Sequence, residues 1–103
     1  FDEVDVGIGG AAAAAVGRRL SALARNCQIL VVTHSPQVAA RGVKHFQITK
    51  NIKLNENITI VRELNGNERV EEIARMLSGE KVTAEARAAA LSLLDAGHQG
   101  DPV

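Results

Sequence analysis

Residues 28–36 read Gln28-Ile29-Leu30-Val31-Val32-Thr33-His34-Ser35-Pro36. Gln28 to Thr33 is a short, continuous apolar run of β-branched type, the pattern of a strand buried in a parallel sheet. Asn26 separates it from the upstream segment. On the downstream side, Ser35 at an N-cap and Pro36 at the first helical position predict a short helix over 36–41. Upstream, Gly10 to Arg25 is rich in Ala, with Val16, Leu20 and Leu23 at helical spacing, and predicts a helix whose Arg18, Arg19 and Arg25 complement its dipole. Before that helix, FDEVDV (residues 1–6) reads as the end of a strand running into a loop of carboxylates, punctuated by Gly7, Gly9 and Gly10.

Further along, Val43–Lys50 and Asn57–Leu64 alternate as strands, with Ile58, Ile60 and Arg62 on one face, and the short link KLNEN predicts a hairpin. Asn67 is the expected cap of a helix from Glu68 to about Leu77, with Val70, Ile73, Ala74 and Leu77 on one face. Thr83 is the expected cap of a last helix reaching about Ala96. The expected fold is α/β: parallel strands with flanking helices, then a β-hairpin and two C-terminal helices, with one unit over 1–96 and a flexible tail over 97–103.

The chain has 103 residues, the size of one small domain, and its twelve bases balance its twelve acids. A neutral total argues against a strongly basic nucleic-acid module, and two aromatic residues, Phe1 and Phe46, exclude a base-stacking platform. Charge is uneven, however. Residues 36–70 hold Arg41, Lys44, Lys50, Lys53, Arg62 and Arg69 against three acids, whereas 71–103 hold three bases against six acids. Cys27 is the single cysteine, without a nearby base, and is expected to be inert packing in a reducing compartment; the histidines lack compact metal-ligand spacing. No apolar run approaches the roughly 18 residues of a membrane span. The chain opens on Phe-Asp-Glu rather than Met, so a piece of a longer protein is expected.

Four residues carry candidate chemistry. Asp2 and Glu3 are adjacent carboxylates at a strand end, where nucleotide hydrolases hold Mg²⁺ and polarise water, and where surface acids also occur. Asp5 comes next in a loop, either as a third acid awaiting positive charge or as an exposed loop residue. His34 lies beyond the carboxyl end of the apolar run, where α/β proteins place ligands; it could touch a phosphate oxygen, orient water, or be satisfied by the Ser35 turn. Gly7-Ile8-Gly9-Gly10-Ala11-Ala12 also matches a dinucleotide fingerprint, but three acids precede it and no ribose-binding acid succeeds the next strand.

Taken together, FDEVDVGIGG, a helix, ILVVTHSPQVAA and the later ERVEEIARMLSG resemble the C-terminal part of the ATP-binding head of the RecN family. These are bacterial relatives of the structural-maintenance-of-chromosomes proteins with ABC-type ATPase heads. The resemblance implies the C-terminal fragment of a P-loop NTPase head. It makes Asp2 the Mg²⁺-associated acid at the end of Walker B, Glu3 the catalytic base and His34 the switch residue that senses the γ-phosphate. Val4 to Gly10 match the D-loop, with Asp5 helping two heads communicate.

The implied cofactors are ATP and Mg²⁺. The implied partners are the rest of the polypeptide (phosphate loop, signature and coiled coil), a second head in a homodimer, and DNA with its recombinase, in the cytoplasm near the nucleoid and away from membranes. The implied activity is ATP hydrolysis serving DNA double-strand-break repair and recombination. Leu77-Ser78-Gly79-Glu80 looks like an ABC signature but comes after Walker B instead of preceding it, so it reads as a helix end with Gly79 as terminator. No G-x-x-x-x-G-K-[ST] loop is present, and the isolated stretch is expected neither to bind ATP tightly nor to hydrolyse it. The rival expectation is an interaction module over 43–96 that binds a partner or DNA without nucleotide, supported by the basic excess of 36–70.

Overall fold

A computed structural model of the chain describes residues 1–53 and 56–99. Its elements are α1 (Gly10–Ala24), α2 (Pro36–Ala39), β1 (Phe46–Lys53), β2 (Glu56–Glu63), α3 (Gly66–Ser78) and α4 (Ala84–Gln99). Part of the expected hairpin link, residues 54–55, lies outside the described residues, as do residues 100–103 of the expected tail; residues 97–99 continue α4. Among the described residues, no helix is long and apolar enough to cross a membrane.

The expected parallel sheet is reduced to one contact. Asp2 and Val32 form an isolated parallel bridge. The Val32 amide donates to the Phe1 carbonyl at 2.8 Å, and the Glu3 amide donates to the Val32 carbonyl at 2.7 Å. The Phe1 nitrogen donates to the Leu30 carbonyl at 2.8 Å. Pairing stops there because the chain turns at once, the Val6 amide donating back to the Glu3 carbonyl at 3.3 Å. Residues 28–33 are therefore extended but not sandwiched in a sheet, and Leu30 is 75% exposed.

The regular sheet is the antiparallel hairpin, with Gln47 opposite Arg62, Ile48 opposite Val61 and Thr49 opposite Ile60. This register puts Ile58, Ile60 and Arg62 on one face, as the alternation predicts, and Phe46, Ile48 and Val61 on the other. β1 starts three residues later than expected, since Val43 lies exposed in the bend after α2.

The start of α3 also differs from expectation. Its cap is Asn65 rather than Asn67: the Glu68 amide donates to Asn65 Oδ1 at 2.8 Å, and the Asn65 amide donates to Glu68 Oε1 at 3.0 Å. Only with Asn65 as cap does a glutamate stand at the third helical position and close this reciprocal box. Thr83 caps α4 as predicted, its hydroxyl accepting from the Ala86 amide at 3.0 Å. Gly79 ends α3 at φ 84°, its amide donating to the Arg75 carbonyl. Of the arginines expected to complement the dipole of α1, Arg25 stands at the C-cap, whereas Arg18 and Arg19 lie before the last turn.

The core is Ala40, Ile73, Ala74, Ala86 and Ala90, with Val70, Val82, Leu93 and Leu94 packed around it. It joins α3 to α4 and to the end of α2. The other side of α2 meets α1, where Val38 is buried with Ala13, Gly17 and Leu20. At that crossing Gly17 is a matter of space: a Cβ there would lie 3.2 Å from the Gln37 carbonyl oxygen and 3.1 Å from Arg41 Cγ.

Arg69 locks α2 onto α3. Its Nη2 lies 2.9, 3.3 and 2.5 Å from the carbonyl oxygens of Ala39, Ala40 and Gly42. They lie at the end of α2, where the Ala39 carbonyl also accepts from the Gly42 amide at 3.2 Å. Burial lowers the Arg69 pKa, yet a guanidinium keeps its proton at neutral pH. His45, at the foot of the hairpin, is half-buried. Desolvation foremost, and then the Arg69 charge, hold its pKa below the ordinary 6.5 against an opposing pull from Glu72.

These contacts can be tested by two measurements. Alanine in place of an unhindered helix glycine gains up to about 1 kcal/mol. Gly66→Ala, with open space at its Cβ, is expected to be neutral or stabilising. Gly17→Ala is expected to lose about 1 kcal/mol instead, because the Gln37 carbonyl cannot give way; denaturant unfolding of the two variants reads the sign. For His45, the folded chain binds fewer protons than the unfolded chain, so its contribution to stability is lost as pH falls through the unfolded value near 6.5. Melting temperatures taken from pH 7.5 to 5.5 should fall less steeply for His45→Gln than for the parent; equal slopes refute the assignment.

Candidate functional site

The parallel bridge brings the amino-terminal acids to the end of the 28–33 segment. Glu3, held by its amide bond to Val32 and the turn to Val6, has φ 50°, in the left-handed region that non-glycine residues rarely enter. That conformation costs on the order of 1 kcal/mol and persists only where surrounding bonds impose it. His34 Nε2 lies 3.2 Å from Glu3 Oε1. Both side chains are open to solvent, His34 at 87% and Glu3 at 48%. Asp2, the residue before Glu3 and the bridge partner of Val32, is exposed.

Asp5 is placed differently from its neighbours. It is 7% exposed, and its carboxylate accepts a short hydrogen bond from the Thr33 hydroxyl. Thr33 Oγ1 in turn accepts from the Ser35 amide at 2.9 Å. Ser35 occupies the N-cap position of α2 without a side-chain cap bond; its hydroxyl donates to Gln37 Oε1 at 3.0 Å instead. A chain of bonds therefore runs from the acidic loop through Thr33 to the residue after His34. Thr33 escapes a search for catalytic residue types. The available signal is a threonine two residues before a helix-starting Ser-Pro, since hydroxyls in such positions bond nearby amides.

A solvent-open carboxylate and imidazole in contact can pass a proton to or from a bound water. Among the described residues, no group of three or more His, Cys, Asp or Glu side chains converges as a metal cage. Asp2 and Glu3 are exposed carboxylates adjacent in the chain, each a hard oxygen donor. Either could serve Mg²⁺, which takes one or two carboxylates and completes its shell with water and substrate phosphates. The remaining candidates lie apart from this rim. His45 sits at the hairpin, and Cys27 is an exposed free thiol at the end of α1, its Sγ 3.5 Å from the Leu23 carbonyl, which corrects the expectation that it is packed.

The basic excess of 36–70 is partly engaged elsewhere. Arg69 faces inward onto α2, and Arg62 is paired with Glu68, whose pKa is lowered by the Asn65 amide and by Arg62. Glu72, in the groove between the hairpin and α3, is likewise lowered, mainly by Arg75, and accepts from Gln47 at 2.8 Å.

No family model matches the chain. Curated relatives do. DNA repair protein RecN of Deinococcus radiodurans is 57% identical over 79 residues, covering 77% of this chain and 14% of that protein. RecN of Streptomyces coelicolor is 47% identical over 95 residues, covering 92% of this chain and 17% of that protein. RecN of Mycobacterium leprae is 50% identical over 99 residues, covering 96% of this chain and 16% of that protein. The chain thus spans about one-sixth of the length of the relatives it matches.

Proposed function

The chain belongs to the RecN family of DNA repair proteins, matching one segment of its relatives, and from that premise we propose that residues 1–96 are the C-terminal lobe of an ABC-type ATPase head. The whole protein would hydrolyse ATP in DNA double-strand-break repair and recombination, in the cytoplasm at the nucleoid. The lobe supplies the end of Walker B, the D-loop and the switch histidine; the phosphate loop and signature come from the rest of the polypeptide. The stretch alone lacks a phosphate cradle and is inactive in this reading.

The observation that carries the proposal is the 3.2 Å approach of His34 Nε2 to Glu3 Oε1 on an open rim, with the Asp2 carboxylate next in the chain. In the proposed site Glu3 accepts the proton of the attacking water as general base. His34 donates a hydrogen bond to a γ-phosphate oxygen. Asp2 holds Mg²⁺, directly or through water, and the cation supplies charge neutralisation at the phosphates. Partners in this reading are a second head, DNA and a recombinase.

In the complete parent protein, Glu3→Gln should bind ATP with near-parental affinity while turnover drops by at least about 100-fold, the scale of a lost general base. Nucleotide-binding titration and phosphate release measure the two separately. Turnover at the parental rate in that variant removes Glu3 from the role.

A further inference from the structure

The candidate histidine has little of its own to hold it. Its side chain is 87% exposed, so packing does not set its rotamer, and its contact with half-exposed Glu3 is of the solvent-screened kind that rarely fixes a geometry. The backbone on either side of it is, by contrast, tied down. Thr33 and Ser35 flank it, and the Thr33 hydroxyl accepts from the Ser35 amide while donating to buried Asp5. A carboxylate as buried as that of Asp5 requires a donor, and Thr33 provides it. Asp5 stands two residues after Glu3 in the same turn. The hydroxyl thus fixes the His34 backbone and also joins it to the loop that carries its partner.

We infer that Thr33 is a positioning residue: by bridging the Asp5 carboxylate and the Ser35 amide, its hydroxyl holds His34 against Glu3. This rests on the ATPase reading of the site and deepens it. Asp5 here works within its own chain, coupling any displacement of the acidic loop to the imidazole.

The test compares Thr33→Val, which keeps the β-branched shape and removes the hydroxyl, with Thr33→Ser, which keeps the hydroxyl. Both are made in the complete parent protein, with Glu3→Gln alongside. Small misplacements of catalytic groups cost up to about 100-fold in rate, so kcat for ATP should fall about 10- to 100-fold in Thr33→Val, with KM changed less than about threefold. Thr33→Ser should return kcat to within about twofold of the parent. Unchanged kcat in Thr33→Val, a rise confined to KM, or a serine variant as slow as the valine variant overturns the inference. If the valine variant does not fold, Thr33→Ala, which adds no bulk, replaces it under the same criteria.

Amide hydrogen exchange of the 33–38 peptide in nucleotide-free protein reads the linkage independently of turnover. It should speed up in the valine or alanine variant and not in the serine variant, while peptides of α3 and α4 stay unchanged; equal protection in all variants overturns the linkage. If Glu3→Gln turns over at the parental rate, the general-base reading of Glu3, on which the inference rests, fails. If Glu3→Gln arrests turnover and the loss of the hydroxyl does not slow it, only the role of Thr33 fails.

Discussion

The architecture hinges on the four residues of α2 and on the cation that closes their end. α2 is the helix that packs on α1 with one side and on α3 and α4 with the other. Its last carbonyls, with that of Gly42, converge on the Arg69 guanidinium from α3. Removing that side chain would take a donor from the carbonyls of Ala40 and Gly42 and leave that of Ala39 with the Gly42 amide. The same clamp sets the direction in which the chain leaves α2 toward the hairpin, and it brings the positive charge near which His45 stays neutral.

The rim at the other end of α2 is organised by opposite means. The carboxylate of Glu3 and the ring of His34 meet in solvent, and backbone holds them there: a single parallel bridge, a left-handed residue and a buried acid bonded to a hydroxyl. Three carboxylates within residues 2–5 avoid crowding by division of labour. Asp2 and Glu3 point outward, where water screens them, and Asp5 turns inward to a neutral donor. An open pair on a fixed backbone suits a site whose ligand arrives from outside.

Much of this is legible from residue patterns, in proportion to how local each pattern is. The boundaries of α1, the terminator Gly79, the cap Thr83 and the face shared by Ile58, Ile60 and Arg62 each depend on interactions within a few residues, and each reads correctly. Asn65 is harder to choose over Asn67, because both precede the helical run and only the spacing to Glu68 decides. Of the expected parallel sheet, the described residues show the parallel bridge between Asp2 and Val32. An apolar run such as QILVVT declares the environment it suits, whereas the ladder it forms depends on partners, and among the described residues those are residues 1–3. Arg69 misleads for a related reason: a basic residue on a helix resembles a solvated one until the carbonyls of another helix come to meet it. The proximity of Glu3 to His34 is inferable from placing both at strand ends, but the inward turn of Asp5 and the part played by Thr33 emerge only in the folded chain.

The isolated bridge between Asp2 and Val32 has a further consequence. It closes a loop of about thirty residues with a handful of backbone hydrogen bonds, so the entropy of ring closure weighs on few contacts. The α3–α4 pair forms from near neighbours along the chain and shares a buried core. Within the described residues the rim thus rests on fewer stabilising contacts than the helical layer, so local opening there costs less.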